Sequence, residues 1–312
     1  MPARTGASRS GEPLNDFNIS VTRFAPSPNG PLHLGHALSA LTGYRLARAG
    51  GGRFLLRIED IDGARTRDEH VQGIEEDLSW LGVSWETPVL RQSQRFAAYG
   101  EAAERLRGMG LLYPCFATRS EIAAAAGDGA RDPDEAQLYP DVLRQRMRAE
   151  TSERLARGEL PAWRIDMARA IEAAAKRLDG RALTFRELCA DGTIAERAAH
   201  PERWGDAVIV RKDVAASYHL AVVVDDAWQG VTHVTRGADL LAATGVHRLL
   251  QVLLGLPEPI YFHHRLVLGA DGAKLSKSAG AEGIGVLRAA GAEAEKVIAG
   301  LGVEVPILAW SL

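Results

Sequence analysis

The first sixty residues contain the pattern that most constrains the fold of this chain. Three prolines and a glycine separate Arg23 from His33, so no helix can begin until after Pro31. Beyond that point the apolar spacing predicts a helix that ends near Gly50, with its stripe at Leu34, Leu38, Leu41, Tyr44 and Leu46. After a triple-glycine break, residues 53–60 predict a buried strand. Strand, helix and strand at this spacing predict a βαβ unit, and therefore an α/β fold with a doubly wound parallel sheet.

Acidic residues follow the predicted strand at the edge where such sheets bind ligands. Glu59, Asp60 and Asp62 lie there, and ligands of doubly wound folds gather at the carboxyl ends of strands. Two further buried strands are predicted over residues 220–224 and 231–237, the first of them ending at a pair of aspartates. The sequence therefore predicts that these acidic residues lie where a ligand would bind.

The chain of 312 residues is long enough for two or three domains. Between about residues 110 and 203 the composition shifts to Arg, Glu and Ala, which predicts an insertion between two halves of a nucleotide-binding domain. After Gly280 we expect mainly one helix, residues 284–301, and too little chain for another substantial domain. The predicted segments are a flexible tail (1–17), the first catalytic half (18–109), the insertion (110–203), the second half (204–260) and a loop with a C-terminal helical segment (261–312).

Two histidines at the predicted start of the first helix are candidates for phosphate chemistry. The first turn of a helix offers backbone N–H groups and a positive dipole end to an anion. His33 and His36 could donate hydrogen bonds to a phosphate as its charge grows, and loss of one such donor typically costs about 10²–10³ in rate. Gly35 would allow an adenine ring close to the backbone. The alternative is that one histidine caps the helix and the other lies on the surface.

Lys274 and Lys277 lie in a stretch rich in small residues. Such a loop can close over a triphosphate and place ammonium groups against the departing pyrophosphate. A solvated basic loop is the alternative, and without His33 and His36 it would be the preferred interpretation.

The composition argues against a membrane-spanning protein and a disulfide-rich protein, but it does not indicate a function. The net charge is −3 and 25% of residues are charged, so electrostatics neither require nor exclude a nucleic-acid partner. No apolar run approaches a membrane span, and only Cys115 and Cys189 are present, which fits a reduced, cytoplasmic environment. One arginine-rich region is typical of a solvated helix face, and in an enzyme that binds nucleic acid it would be a candidate for phosphate contacts: Arg144, Arg146, Arg148, Arg154, Arg157, Arg164 and Arg169.

Six stretches together carry a close resemblance to one enzyme family: residues 23–27, 33–36, 57–60, 218–226, 236–239 and 274–278. The second and last match the His-x-Gly-His and Lys-x-Ser-Lys-Ser signatures of class I aminoacyl-tRNA synthetases. The chain resembles the glutamyl branch of that class, and more narrowly the glutamyl-queuosine tRNA(Asp) synthetases, which are truncated relatives of glutamyl-tRNA synthetase. The resemblance implies a class I synthetase Rossmann-like domain with an α-rich insertion and without an anticodon-binding domain.

The resemblance also implies a set of ligand-binding residues. Those for glutamate are Arg23, Phe24, Ala25, Pro26, Ser27, Glu59, Tyr218 and Arg236, and those for ATP are His33, Gly35, His36 and Lys277. The residue types suit a dicarboxylic amino acid, because each carboxylate needs a guanidinium and the ammonium needs an acid. Arg236 facing the side chain would disfavour glutamine, whose amide offers one acceptor oxygen. The alternatives are structural ion pairs, Arg57–Glu59 and Arg236–Asp239, and a core role for Tyr218.

The chain departs from the family at its zinc site. The family commonly carries Cys-x-Cys followed by Tyr-x-x-x-Cys, whereas Ala117 and Leu143 replace two of the three cysteines here. The remnants, Cys115 and Tyr139, cannot hold a tetrahedral zinc ion by themselves. We therefore expect no metal in the insertion, and apolar packing around a buried Cys115.

The implied activity is that of a class I ligase. It would activate L-glutamate with ATP and Mg²⁺, in the absence of tRNA, to glutamyl-adenylate, and would transfer glutamate to the queuosine wobble base of tRNA(Asp). Three alternatives stay open: a truncated glutamyl-tRNA synthetase that charges the 3′ end of tRNA(Glu), a small-molecule ligase of the same superfamily, and an inactive binding protein. The intact His33, His36, Lys274 and Lys277 argue against the last. We expect a monomer, since no sustained apolar heptad is present.

Overall fold

The computed structural model describes residues 21–214, 216–269 and 283–306. The tail predicted over residues 1–17 and the segment with Lys274 and Lys277 lie outside these ranges. No helix within them is long and apolar enough to cross a membrane.

Helices and short strands alternate along the described chain. The helices are α1 (Leu34–Ala49), α2 (Asp68–Trp80), α3 (Phe96–Gly108), α4 (Arg119–Ala126), α5 (Asp141–Ala156), α6 (Met167–Arg177), α7 (Tyr218–Trp228), α8 (Ala243–Leu254), α9 (Ile284–Ala289) and α10 (Ala294–Leu301). The strands are β1 (Val21–Phe24), β2 (Arg53–Ile58), β3 (Glu86–Arg91), β4 (Leu112–Cys115), β5 (Ala162–Ile165), β6 (Thr184–Leu188), β7 (Ile194–Ala198), β8 (Val208–Val210), β9 (His233–Gly237) and β10 (Ile260–His264).

Two parallel groups of strands form the base of the site. Strands β1, β2 and β3 are parallel, and β9, β10 and β6 are parallel with β7 antiparallel at the outer edge. The groups meet where β1 lies beside β9, since the Thr232 N–H donates to the Val21 carbonyl at 3.0 Å. The unit β1–α1–β2 confirms the predicted βαβ arrangement and the Rossmann-like α/β fold.

The segment 110–203 contributes to two different sheets. Strands β4 and β5 pair with β8 in a small antiparallel sheet, while β6 and β7 join the sheet of β9 and β10. Helices α4, α5 and α6 accompany these strands. The domain boundaries given above stay predictions.

Residues 220–224 form part of helix α7, so the strand predicted there is wrong. Leu220, Ala221, Val222 and Val223 are all buried, and the helix packs against α3 and α8 in the main core. A helix covered on most sides has a continuous apolar sequence, which periodicity cannot distinguish from a buried strand. The three successive valines favoured the strand, and tertiary packing overrode that preference.

The single helix predicted over residues 284–301 is in fact two helices, α9 and α10. Gly291 separates them with a φ of 79°, a left-handed conformation that ends α9. Apolar residues of both helices, Ile284 and Leu301, are buried in the core that lies around α1 and α2.

Apolar packing occupies the place of the family's zinc site. Cys115, Tyr139 and Leu143 are buried together, with Ala117 packed against them. The Arg164 guanidinium lies over the Tyr139 ring at 4.2 Å and its Nε–H donates to Cys115 Sγ at 3.4 Å. A cation beside the remaining thiol and a leucine in a ligand position do not fit a zinc ion.

Leu143→Ala should therefore destabilise the fold by about 2–5 kcal/mol, because it opens a cavity beside Cys115. Denaturant unfolding measures this, and the neighbouring Val142→Ala, at a residue 62% exposed, is the matched control that should change little. Stoichiometric zinc in the purified protein, together with a fall in Tm on chelation, would contradict the apolar account.

Candidate active site

A cavity of about 420 Å³ opens where the carboxyl ends of β1, β2, β9 and β10 meet the start of α1. Every candidate site residue within the described ranges lines it: Arg23, Phe24, Ala25, Pro26, Ser27, His33, Gly35, His36, Glu59, Tyr218 and Arg236. The structure thus brings together residues more than 200 positions apart in the sequence.

His33 is the N-cap residue of α1, and both imidazoles form its capping box. The Gly35 N–H donates to His33 Nδ1 and the His33 N–H donates to His36 Nδ1, each at 3.1 Å. Because both Nδ1 atoms accept, the neutral rings carry their protons on Nε2. A Cβ on Gly35 would lie 3.0 Å from the His33 ring, so a larger residue there would push that ring away from its capping position. Helix capping and a phosphate-binding role are therefore compatible.

The chain on either side of the segment with Lys274 and Lys277 reaches this end of the cavity. Val267 lines the cavity, and Gly283 forms an antiparallel bridge with His33. The Ile284 N–H donates to the Leu32 carbonyl at 2.8 Å.

At the end of the cavity away from His33 and His36, a buried carboxylate on α7 holds two arginines in position. Asp226 accepts hydrogen bonds from Arg23 Nε at 2.9 Å and from Arg57 Nη2 at 2.7 Å, and so joins β1 and β2 to α7. Burial alone would raise the pKa of Asp226, but the two guanidiniums hold it below its ordinary value. Asp226 is therefore an anion that fixes Arg23 at the cavity wall.

Glu59 completes this charge cluster and faces the cavity. Its Oε1 lies 3.7 Å from Arg57 Nη2, so the ion pair considered as the structural alternative is present. Burial raises the pKa of Glu59 to about 7, although Arg57 and Arg23 oppose the shift. Two guanidiniums and two carboxylates make the ionised cluster electrically neutral.

Arg236, at the end of β9, has a different environment. It is 4% exposed, and its guanidinium contacts His263 Nε2 at 3.3 Å, His247 Nδ1 at 3.0 Å and Thr244 Oγ1 at 2.6 Å. Within residues 21–214, 216–269 and 283–306 no carboxylate lies within salt-bridge distance of it. The alternative Arg236–Asp239 ion pair is thus not formed, and a buried cation at the cavity lacks a counter-charge from these parts of the chain.

Tyr218 begins α7 and separates the main cavity from a smaller one. Its ring packs against His247 with centroids 5.4 Å apart, and burial raises its pKa. The second cavity, about 200 Å³, shares Ser27, Asn29, Glu59 and Tyr218 with the first. Its outer wall includes Asp62 and Arg211, whose carboxylate and guanidinium are 3.3 Å apart.

Sequence reasoning gave no role in the site to the residues behind the cavity wall. Asp226 and Arg57 had a detectable signal, since each is a charged residue close to an apolar run and lies in a stretch that carries the family resemblance. His247 and Thr244 on α8 had none, because only the packing of α8 against β9 and α7 brings them to Arg236.

Comparison with known proteins identifies the family of this chain. The family model described as "tRNA synthetases class I (E and Q), catalytic domain" matches residues 20–303. The chain belongs to this family. It is a ligase of the class I aminoacyl-tRNA synthetase type.

Relatives within the family are close. A glutamyl-Q tRNA(Asp) synthetase of Rhodobacter capsulatus is 45% identical over 260 residues, which cover 82% of this chain and 90% of that protein. One from Symbiobacterium thermophilum is 41% identical, covering 83% and 78% of the two chains. The solved glutamate-tRNA synthetase of Elizabethkingia anophelis is 28% identical with a TM-score of 0.64, covering 84% of this chain and 53% of its own. The chain thus spans about half the length of that structure.

Asp226→Asn should weaken both folding and substrate binding in this ligase. It leaves Arg23 and Arg57 buried without their shared anion, and breaking a buried pair costs about 3–5 kcal/mol. Denaturant unfolding measures the loss. Glu86→Gln, which breaks the half-exposed pair with Arg53, is the control and should cost about 0–1 kcal/mol. Equal effects of the two substitutions would contradict the role given to Asp226.

The pKa of Glu59 should appear in the pH dependence of amino-acid activation. If Glu59 must be ionised to bind an ammonium group, kcat/KM for the amino acid should fall as pH drops below about 7. His219, whose pKa burial lowers to about 4, stays neutral through this range. Pyrophosphate exchange between pH 5.5 and 8.5 gives the profile, and Glu59→Gln should remove its acid limb. A flat wild-type profile would show that Glu59 does not bind the ammonium group as an anion.

Proposed function

We propose that the chain activates L-glutamate with ATP in the absence of tRNA, and then transfers the glutamyl group to the queuosine wobble base of tRNA(Asp). The observation that carries the first step is the cavity itself. Around one space it has a buried guanidinium that no carboxylate of the described residues pairs with, an acidic side chain, and a helix N-terminus capped by two histidines.

Charge complementarity supports glutamate as the amino acid. Among the described residues, the Arg23–Arg57–Asp226–Glu59 cluster is neutral when ionised, and the charges of Arg265 and Asp239 on the cavity wall offset each other. Arg236 therefore leaves this part of the wall with one net positive charge. L-glutamate carries two carboxylates and one ammonium group, and brings one net negative charge. Arg236 binds the side-chain carboxylate, Glu59 the ammonium group, and Arg23 the α-carboxylate. Phe24, Ala25, Pro26 and Ser27 form the wall beside it.

Activation forms one bond and breaks another at phosphorus. An oxygen of the α-carboxylate attacks the α-phosphorus of ATP, and the bond to the bridging oxygen breaks to release pyrophosphate. The Nε2–H groups of His33 and His36 stabilise the charge that grows on the phosphate, with Gly35 between them. Lys274 and Lys277 bind the β- and γ-phosphates, in keeping with the approach of Val267 and Gly283 to the cavity.

Mg²⁺ would come with the nucleotide and be held chiefly by phosphate oxygens, where it neutralises charge. Within the described ranges no group of three or more His, Cys, Asp and Glu side chains is arranged to hold a metal ion.

Two observations support the queuosine base of tRNA(Asp) as the acceptor of the glutamyl group: the names of the relatives, and the second cavity. The Rhodobacter and Symbiobacterium proteins are both named glutamyl-Q tRNA(Asp) synthetase. The smaller cavity borders the main one along Glu59 and Tyr218, so a nucleoside bound there would lie next to the adenylate. One of its hydroxyl oxygens would attack the glutamyl carbonyl and form an ester, and the bond to the phosphate oxygen would break to release AMP. Several insertion arginines are paired within the chain, including Arg144 with Asp206 and Arg146 with Glu121. Phosphate contacts are therefore expected from the remaining ones, such as the exposed Arg148.

Transfer of labelled glutamate to three purified RNAs tests this proposal: tRNA(Asp) with queuosine, tRNA(Asp) without it, and tRNA(Glu). We expect label on the first alone, because the acceptor is the modified base. Label on tRNA(Glu) would instead identify an enzyme that charges a tRNA 3′ end, a function favoured only by the likeness to the Elizabethkingia synthetase. Pyrophosphate exchange with glutamate and ATP alone tests the activation step separately.

A further inference from the structure

Two histidines contact the Arg236 guanidinium from the side that faces away from the cavity. His247 on α8 and His263 on β10 lie behind the guanidinium and do not line the cavity. Each presents one ring nitrogen to Arg236, and Thr244 presents its hydroxyl oxygen. All three partners are uncharged acceptors when the imidazoles are neutral.

The chemistry of arginine fixes the tautomer of both rings. A guanidinium only donates, so the facing atoms, His247 Nδ1 and His263 Nε2, must be without protons. His263 therefore carries its proton on Nδ1, which lies 2.9 Å from Glu187 Oε1 and donates to it. His247 carries its proton on Nε2, which lies 3.2 Å from His219 Nδ1. Each required donor thus has an acceptor in place.

The surroundings keep both rings neutral. Burial, followed by the charge of Arg236, lowers the pKa of His247 well below its ordinary value. Burial also lowers the pKa of His263 despite the nearby Glu187 carboxylate. Glu187 is separated from Arg236 by the His263 ring and is paired with Arg197 on its other side.

Arg23, on the same cavity, shows the contrasting arrangement. Asp226 accepts two hydrogen bonds from it and supplies a negative charge. A carboxylate in the position of His247 would orient Arg236 equally well but would also neutralise it. Neutral acceptors orient the guanidinium and leave its charge for a ligand.

We propose that His247 and His263 are positioning residues that set amino-acid selectivity: as neutral acceptors of fixed tautomer they orient Arg236 without neutralising it, so that its counter-charge is the side-chain carboxylate of the substrate. This inference rests on glutamate being the substrate proposed above. If His247 and His263 set selectivity in this way, their lack of charge matters as much for glutamate binding as the hydrogen bonds that they accept.

Three substitutions at position 247 test the inference, because Asn, Leu and Asp have nearly the same shape. Asn places an amide oxygen where Nδ1 lies, Leu offers no acceptor, and Asp offers a charged one; all three lose the bond to His219. We expect KM for glutamate to stay within about threefold of wild type for His247→Asn, to rise about tenfold for Leu and at least about 100-fold for Asp. KM for ATP should change little in each.

The decisive comparison is between the KM values for glutamate of His247→Asn and His247→Asp. If His247 only supports the fold, a charged acceptor should serve as well as a neutral one, and equal KM values for glutamate in the two variants would overturn the proposal. His263→Gln and His263→Met repeat the comparison of acceptor against no acceptor at the second position, where Gln should be the less impaired. Thermal unfolding of each variant checks the fold, and the Asn–Asp pair remains informative where Leu or Met fails to fold.

A second measurement does not depend on the substrate. Nitrogen NMR of histidine-labelled protein at pH 7, assigned with His247→Asn and His263→Gln, should show an unprotonated Nδ1 in His247 and an unprotonated Nε2 in His263. An imidazolium or the opposite tautomer at either position would overturn the inference. Wild-type enzyme without glutamate-dependent pyrophosphate exchange, but with these tautomers, would contradict the proposed function and leave the account of Arg236 intact.

Discussion

One buried carboxylate, that of Asp226, connects the elements on which the site is built. From helix α7 it accepts hydrogen bonds from Arg23 on β1 and Arg57 on β2. These three charges are paired only when the two strands and the helix keep the relative position that the structure shows. Its neighbour Asp225 bonds Arg95 and Tyr99 and so ties α7 to α3. Buried charges are costly unless paired, so this cluster penalises any arrangement that separates the three elements.

The cavity combines two ways of using a buried arginine. Arg23 is held by an anion and belongs to a neutral cluster, whereas Arg236 is held by imidazoles and a hydroxyl and keeps its charge. The first arrangement gives rigidity, and the second gives a positive site in a low-dielectric environment, where a carboxylate ligand is worth more than in water. An amino acid with one extra negative charge meets both requirements, which connects the architecture to the proposed activation of glutamate.

Local rules were sufficient for the parts of the fold in which polar and apolar residues alternate or glycine and proline mark boundaries. Helix α1 begins at Leu34 and ends before Gly50 as its apolar stripe and flanking residues indicate, and β2 follows the glycine break. They failed at residues 220–224, because a helix buried on most sides has no polar face to reveal its period. They also joined α9 to α10, since one glycine at positive φ leaves little trace in the apolar pattern.

The sequence by itself determined the βαβ unit, the family and the candidate residues around the cavity. Each of these features depends on short motifs, and the residues of a motif lie close together in the chain. Tertiary structure alone decided the state of each charge. Arg57 and Glu59 are near neighbours in sequence, but whether Arg236 is paired with an acid depends on what α8 and β10 place behind it. Burial and long-range packing set that environment, and neither can be read from spacing along the chain.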